Sequence, residues 1–116
     1  MIVIDVAGRA RFDLQRMTKS TLALGEHLFA GLNAFEAGQE QPSHTHPHQD
    51  KLYVIVAGRG EVRVGDEFAT VGPGDLVLAP AGAAHSLRNP GPERLIAVAV
   101  LSPPRELQDE ARGPRR

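Results

Sequence analysis

Three of the five histidines in this chain stand close together, in the segment SHTHPH at residues 43–48. Side chains two residues apart on an extended strand point to the same face, so His44 and His46 are predicted to project together. Neutral imidazole is a good ligand for zinc, copper, iron and nickel, and two such rings could share one ion. The spacing also fits a pair of surface histidines in a polar loop, and this alternative stays open.

His48, the third histidine of this segment, and His27, elsewhere in the chain, carry weaker signals. His48 follows Pro47, so the alternation of a strand does not extend to it reliably. It is either an exposed loop histidine, or an additional ligand or general base at the mouth of a pocket. His27 lies in a separate predicted strand, where we expect it to be structural or exposed.

Short runs of β-branched residues, separated by glycine and proline, indicate the elements that would position these histidines. The chain contains 12 Gly and 9 Pro, and from residue 38 onward they recur at short intervals. Such runs between turn signals are typical of antiparallel strands in a sandwich or barrel. The predicted strands in this part of the chain are residues 52–57, 61–64, 67–71, 76–79, 85–88 and 95–101. A tight hairpin turn is predicted at 64–67.

The two ends of the chain are less regular. Residues 2–6 and 27–35 are each predicted to form a strand, and residues 12–20 a turn of helix or a loop. The segment from residue 103 combines proline with alternating charge, which predicts a solvated, flexible tail with one helical turn around 106–111. We therefore predict a single all-β domain over residues 1–102 and a charged tail at 103–116.

Composition excludes several classes of function. Lys and Arg total 13 and Asp and Glu total 14, a formal net charge of -1, whereas proteins that read nucleic acid need a basic face. The chain has no cysteine, which excludes disulfides, thiolate ligands and a cysteine nucleophile. It shows no signal-peptide pattern and no apolar run near the roughly 20 residues of a membrane span. We expect a soluble, cytoplasmic domain that binds neither nucleic acid nor membrane.

A further histidine lies in a segment with a defined pattern of turn residues, namely Gly74, Pro80, Gly82, His85 and Asn89. Pro80 would end a strand because it has no N–H, and Gly82 would permit a tight reversal. A hairpin explains the proline and the glycines whatever the function, but it does not explain His85. At every defined position the segment resembles the second motif of the cupin superfamily, Gly-(x5)-Pro-x-Gly-(x2)-His-(x3)-Asn.

The first cupin motif, Gly-(x5)-His-x-His-(x3 or x4)-Glu-(x6)-Gly, is matched at Gly38, His44, His46 and Gly58. This resemblance implies a cupin-like jelly-roll barrel in which His85 lies opposite His44 and His46. It implies a divalent transition metal (Zn, Fe, Mn or Ni) on the three histidines and a small-molecule ligand or substrate. The implied activities include dioxygenation, isomerisation, decarboxylation and sugar modification, and the sequence does not choose among them.

The first motif departs from the family at its glutamate, which there completes a site of three histidines and one carboxylate. The position falls on Lys51 with four intervening residues and on Asp50 with three. Strand parity favours Lys51, which would share the inward face with Tyr53 and Ile55. An ammonium about 5 Å from a divalent ion repels it by roughly 7 kcal/mol at an effective dielectric constant of about 20, so the charge requires compensation.

Four outcomes are open at this position. Lys51 is turned away, or it is neutral through a lowered pKa, or Asp50 or His48 takes the vacant position, or no metal binds. The last outcome corresponds to an alternative function, a non-catalytic ligand-binding or regulatory module in which Lys51 pairs with an anionic ligand. Tyr53 is either a core side chain with a satisfied hydroxyl or a hydrogen-bond donor in the pocket.

Association is predicted from strands that are apolar on both faces. The strand at 52–57 has apolar residues on the face opposite Tyr53 and Ile55, namely Leu52, Val54 and Val56. The strand at 95–101 is apolar throughout. One of these faces must be covered by something other than the barrel interior. Because small cupins are often dimers, we expect a homodimer that buries such strands.

Overall fold

The computed structural model describes residues 1–104, which fold into nine β-strands after a short 3-10 helix at Ala7–Arg9. The strands are β1 Thr18–Leu24, β2 Phe29–Phe35, β3 Glu40–His44, β4 Asp50–Ala57, β5 Gly60–Val64, β6 Glu67–Val71, β7 Leu76–Ala79, β8 His85–Arg88 and β9 Leu95–Ser102. The all-β prediction is confirmed, and every strand predicted from residue 52 onward is present within two residues of its expected bounds. The predicted tail and its helical turn lie, from residue 105 onward, outside the described residues.

Two antiparallel sheets make up the jelly-roll barrel. The larger has the strand order β1-β2-β9-β4-β7, and the smaller has the order β3-β8-β5-β6. The predicted hairpin turn is confirmed, since Val64 pairs directly with Glu67 and Gly65 has the positive φ (57°) that a two-residue turn requires. No helix within residues 1–104 has the length and apolar character needed to cross a membrane.

Alternation along β4 decides which of its side chains enter the barrel. Lys51, Tyr53 and Ile55 are 4%, 0% and 1% exposed, whereas Leu52 and Val54 are only partly buried. The predicted inward set is therefore confirmed, with a lysine at its end. The hydrophobic core between the sheets consists of Phe35, Tyr53, Ile55, Val62, Val71, Leu87, Leu95, Ala97 and Ala99.

The strand predicted at residues 2–6 is wrong. Asp5 adopts a left-handed backbone conformation (φ 58°), and its Oδ1 accepts a hydrogen bond of 3.1 Å from the N–H of Gly8. This turn leads into the 3-10 helix, so the alternating isoleucines before it do not join a sheet. Ile2 and Ile4 are accordingly exposed.

The helical alternative for residues 12–20 is also wrong, because β1 begins at Thr18 and pairs with β2. Lys19 lies opposite Asn33 in this pairing, so β1 contributes polar side chains to the inner face of the larger sheet. The strand predicted at 27–35 is present but begins at Phe29, after a turn closed by the hydrogen bond from Gly25 N to Leu28 O.

Candidate metal centre

His44, His46 and His85 come together at one end of the smaller sheet. His44 is the last residue of β3 and His85 the first of β8, and their Cα atoms are direct partners in the antiparallel pairing. The ring centroid of His44 lies 4.1 Å from that of His85 and 4.8 Å from that of His46. One ligand atom from each ring lies within 4.8 Å of the other two. The strand predicted to carry both members of the His-x-His pair ends at His44, so His46 belongs to the loop that follows.

Two hydrogen bonds from the turn before β8 fix the segment between His46 and the start of β4. The N–H of Gly82 donates to the carbonyl oxygen of His46 at 3.0 Å, and the N–H of Ala81 donates to Asp50 Oδ1 at 2.9 Å. Gly82 makes its contact from a positive φ (88°), which explains why a glycine stands there. The turn before β8 therefore positions both its own histidine and the loop carrying His46.

Hydrogen bonds of the Nδ1 atoms determine the tautomers of two of the histidines. Nδ1 of His44 is 2.9 Å from the carbonyl oxygen of Pro42, and Nδ1 of His85 is 3.1 Å from that of Ala83. A carbonyl oxygen can only accept, so each Nδ1 donates and each neutral ring keeps its lone pair on Nε2. Backbone carbonyls orient metal-binding histidines in the same way. Nε2 of His85 is buried and has no hydrogen-bond partner, so its lone pair is available to a ligand such as a metal ion.

The surroundings of His85 keep its ring neutral. The pKa of His85 is lowered from 6.5 to about 4. Burial is the main cause, the hydrogen bond to Ala83 opposes it, and repulsion from His44 and Lys51 adds smaller contributions in the same direction as burial. A metal ion binds only the neutral form of imidazole. Near neutral pH this nitrogen therefore needs no deprotonation before it can bind a cation.

The same pKa predicts how the stability of the metal-free protein depends on pH. Between pH 6.5 and about 4 the unfolded chain binds a proton on this imidazole that the folded chain does not. The free energy of unfolding should therefore fall as the pH is lowered across this window, by roughly 3 kcal/mol in total, and this contribution should level off below it. Urea unfolding at a series of pH values measures the slope.

A matched pair of variants tests whether His85 causes this pH dependence of the unfolding free energy. His85→Gln should flatten the pH dependence in this window, whereas His27→Gln should leave it as in the parent protein because His27 is exposed. An unchanged slope in His85→Gln would show that another group is responsible.

Lys51 points into the barrel, as strand parity predicts. Its Nζ is 3.2 Å from Gln41 Oε1 and 4.7 Å from the ring centroid of Tyr53, whose ring centroid in turn lies 6.3 Å from that of His85. The hydroxyl of Tyr53 donates to the same Gln41 oxygen. Burial raises the pKa of Tyr53, so the phenol stays protonated and acts as a donor. Tyr53 is thus both a core side chain and a polar group near the site.

The other predicted candidates lie apart from the cluster. Asp50 is exposed, and its carboxylate accepts the N–H of Ala81 as described; His48 is exposed as well. Among the described residues, the group of side chains close enough to share an ion contains the three histidines and neither of these two. His27 is exposed beside Glu26, in keeping with the expectation for it.

Two further buried polar residues are Gln41, which the sequence did not single out, and Asn89, which it did. Gln41 is 5% exposed, and the pairing of β3 with β8 becomes irregular between it and His44. That irregularity shifts the alternation, so counting back from the histidine does not predict the inward direction of Gln41. Asn89, the last position of the second motif, is 1% exposed and donates to the carbonyl oxygens of Phe35 and Glu93, which gives it a structural role.

Comparison with known proteins agrees with this geometry. Residues 31–101 match the sequence profile of the family described as "Cupin domain". A crystal structure of a Thermus thermophilus protein superimposes with a TM-score of 0.85 at 35% identity and covers 90% of this chain and 99% of that one. An RmlC-like cupin protein from Desulfovibrio desulfuricans superimposes with a TM-score of 0.79 at 26% identity, covering 90% and 98% of the two chains.

Two curated relatives are similar over shorter stretches. An uncharacterised protein of Streptomyces coelicolor is 37% identical over 78 residues, which is 67% of this chain and 72% of that protein. A 5-nitrosalicylic acid 1,2-dioxygenase from Bradyrhizobium is 38% identical over 73 residues, 63% of this chain and 35% of the enzyme. The chain thus matches about a third of the dioxygenase.

Proposed function

Because the chain belongs to the cupin family, we propose that it binds one divalent transition metal ion through His44, His46 and His85 and acts through that ion on a small molecule. The observation that carries this proposal is the buried Nε2 of His85, which has no hydrogen-bond partner and lies in a cluster whose ligand atoms are within 4.8 Å of one another. Zinc, iron, manganese and nickel all accept this donor type.

Three protein ligands leave further coordination positions for a substrate. A metal in such a site supplies Lewis-acid activation of a chelating molecule, or activation of O₂ when the ion is iron. The similarity to a dioxygenase makes oxygen consumption the first reaction to assay. The chain's own contribution is to orient the imidazoles of His44 and His85 through their Nδ1 hydrogen bonds and to hold a protonated phenol, Tyr53, near them.

Metal analysis of the protein tests the proposal. The chain is purified without an affinity tag, its metal content is measured by plasma mass spectrometry, and the metal-free protein is titrated with Zn²⁺, Mn²⁺, Fe²⁺ and Ni²⁺. We expect one ion per chain. A protein that carries no metal and shows no saturable binding in any titration would overturn the proposal.

We also propose that the protein is a homodimer through the outer face of its larger sheet. Leu76 and Leu78 on the edge strand β7 are 61% and 54% exposed, and they lie beside Val54 and Leu52 on β4. Such a contiguous apolar surface is typical of a protein–protein interface, and we propose that a second copy of the chain covers it.

Light scattering at micromolar concentration should give about twice the chain mass of 12.5 kDa. Leu78→Glu should shift the mass towards the monomer because it places a charge in the apolar contact. Glu40→Gln, on an exposed position of β3 in the smaller sheet, serves as the control. A monomeric mass for the parent protein would contradict the proposal. A cytoplasmic location and the lack of a nucleic-acid partner stay predictions from composition.

A further inference from the structure

The barrel interior contains a cavity of about 230 Å³ on the inner face of the larger sheet. It lies against β1, β2 and β9, and among the described residues that line it there is no histidine. The space exists because two small residues, Gly31 and Ala99, are direct partners on adjacent strands. Phe29 and Leu101, the next inward pair, form its apolar wall. Because a protein cavity of roughly 150 Å³ can hold benzene, this one has room for a ring with a short substituent.

Asn33 brings a buried amide to the wall of this cavity. It lies two residues after Gly31 on β2, hence on the same face, and it is 4% exposed. Its Nδ2 is buried and has no hydrogen-bond partner among the residues that the structure describes. An amide NH₂ group donates and does not accept, and a buried donor without an acceptor is costly. The cavity therefore favours a molecule that carries a hydrogen-bond acceptor.

The two lysines that line the cavity already interact with other groups of the protein. The Nζ of Lys51 is 3.2 Å from Gln41 Oε1 and 4.7 Å from the ring centroid of Tyr53. Lys19 has an interaction partner as well. The donor that still needs an acceptor is thus the uncharged amide of Asn33, and a carbonyl oxygen satisfies it without bringing a charge into the barrel.

We propose that this cavity binds an uncharged organic molecule through a carbonyl oxygen, with Nδ2 of Asn33 as the donor and the apolar wall against the rest of the molecule. This site deepens the proposed function, on which it rests for the reaction, because it names an uncharged carbonyl compound as the substrate class of the metal centre. Lys51 lines the cavity and lies over the ring of Tyr53, whose centroid is 6.3 Å from that of His85. The cavity therefore adjoins the side chains that lie next to the cluster.

Nuclear magnetic resonance of the metal-free, full-length protein tests the inference with acetophenone as the probe. Its isostere α-methylstyrene has a CH₂ group in place of the carbonyl oxygen and so lacks the acceptor. The chain has two asparagines, Asn33 and Asn89, and their side-chain amide resonances can be assigned individually. Acetophenone should shift those of Asn33 in a saturable manner and leave those of Asn89, which is already hydrogen bonded within the protein, in place.

The relative affinities of three probes test the chemical class of the ligand. α-Methylstyrene should bind about tenfold more weakly than acetophenone, because it leaves the amide of Asn33 without an acceptor. Benzoate has a similar size and an oxygen acceptor, but it carries a charge that must be desolvated. It should therefore also bind more weakly than acetophenone.

Substitutions provide the second readout. Asn33→Leu should remove the preference for acetophenone over α-methylstyrene, because it replaces the donor with an apolar side chain. Ala99→Val fills part of the cavity and should weaken the binding of both probes alike. Gln15→Leu removes an amide at an exposed position and should leave both affinities unchanged. The titration of the parent protein needs no variant to fold, so the inference can be overturned from it alone.

Three results with the parent protein would each overturn the inference: no saturable shift of Asn33, equal binding of acetophenone and α-methylstyrene, or tighter binding of benzoate than of acetophenone. A preference for acetophenone that persists in Asn33→Leu would show that this residue is not the donor. If these occur in a protein that still binds metal, the proposed function stands and only the substrate class is wrong. Saturable acetophenone binding by a chain that takes up no metal would instead support the cavity and contradict the metal centre.

Discussion

Replacing His44, His46 or His85 with alanine is expected to lower the affinity for a divalent metal by more than about a hundredfold. Loss of a hydrogen-bonding neighbour of a metal ligand typically costs 10–100-fold, so loss of one of three ligands themselves should cost more. The measurement is the metal content of each purified variant, followed by calorimetric titration of its metal-free form.

His27→Ala is the matched control, because it removes an exposed histidine that lies outside the cluster. The histidines do not belong to the hydrophobic core between the sheets, so each alanine variant should fold, and circular dichroism and thermal unfolding check this. If all four variants retain the same metal content as the parent protein, the three-histidine centre is wrong.

The strands from residue 52 onward could be predicted because two local signals agree there. Glycine and proline mark the turns, and β-branched residues fill the runs between them. Strands such as β4 place alternate side chains in the core, so the pattern of the sequence there reflects the pattern of burial. The prediction of Lys51 as inward-facing succeeded on the same basis, since Tyr53 and Ile55 set the parity of β4.

Strand β1 could not be predicted in this way because its inner face lines a cavity instead of the core. Its inward residues include Lys19 and Thr21, so the alternation of apolar and polar residues that signals a half-buried strand is absent. Its existence follows from the pairing with β2, which is a tertiary interaction. The same cavity explains why Asn33 carried no signal: a single polar residue within an apolar strand has no periodicity to reveal it.

The histidine cluster depends on information of two kinds. The spacing of His44 and His46 predicts that the two rings lie close together, although β3 ends at His44 and a loop carries His46. The approach of His85 depends on the pairing of β3 with β8, which only the family resemblance implied. The hydrogen-bond partner of Lys51, at the family's glutamate position, could not be predicted from the sequence. Gln41, on the facing strand β3, contacts both Lys51 and Tyr53, and it is not a defined position of either motif.

Lys51→Glu is expected to tighten binding of a divalent metal by about thirtyfold. The substitution replaces a positive charge near the cluster with the carboxylate that completes the family's ligand set. Even if screening reduces the Coulomb interaction to a quarter of its value at an effective dielectric constant of about 20, roughly 2 kcal/mol remains. The new carboxylate can be accommodated, because the amide of Gln41 can reverse and donate through its NH₂ group while the phenol of Tyr53 donates as before.

Lys51→Met separates loss of the cation from gain of a ligand, and its affinity should fall between those of the parent and Lys51→Glu. Calorimetric titration of the three metal-free proteins with Zn²⁺, Mn²⁺ and Ni²⁺ gives the order. Equal affinities would mean that the charge of Lys51 does not act on the metal site, despite its effect on the pKa of His85.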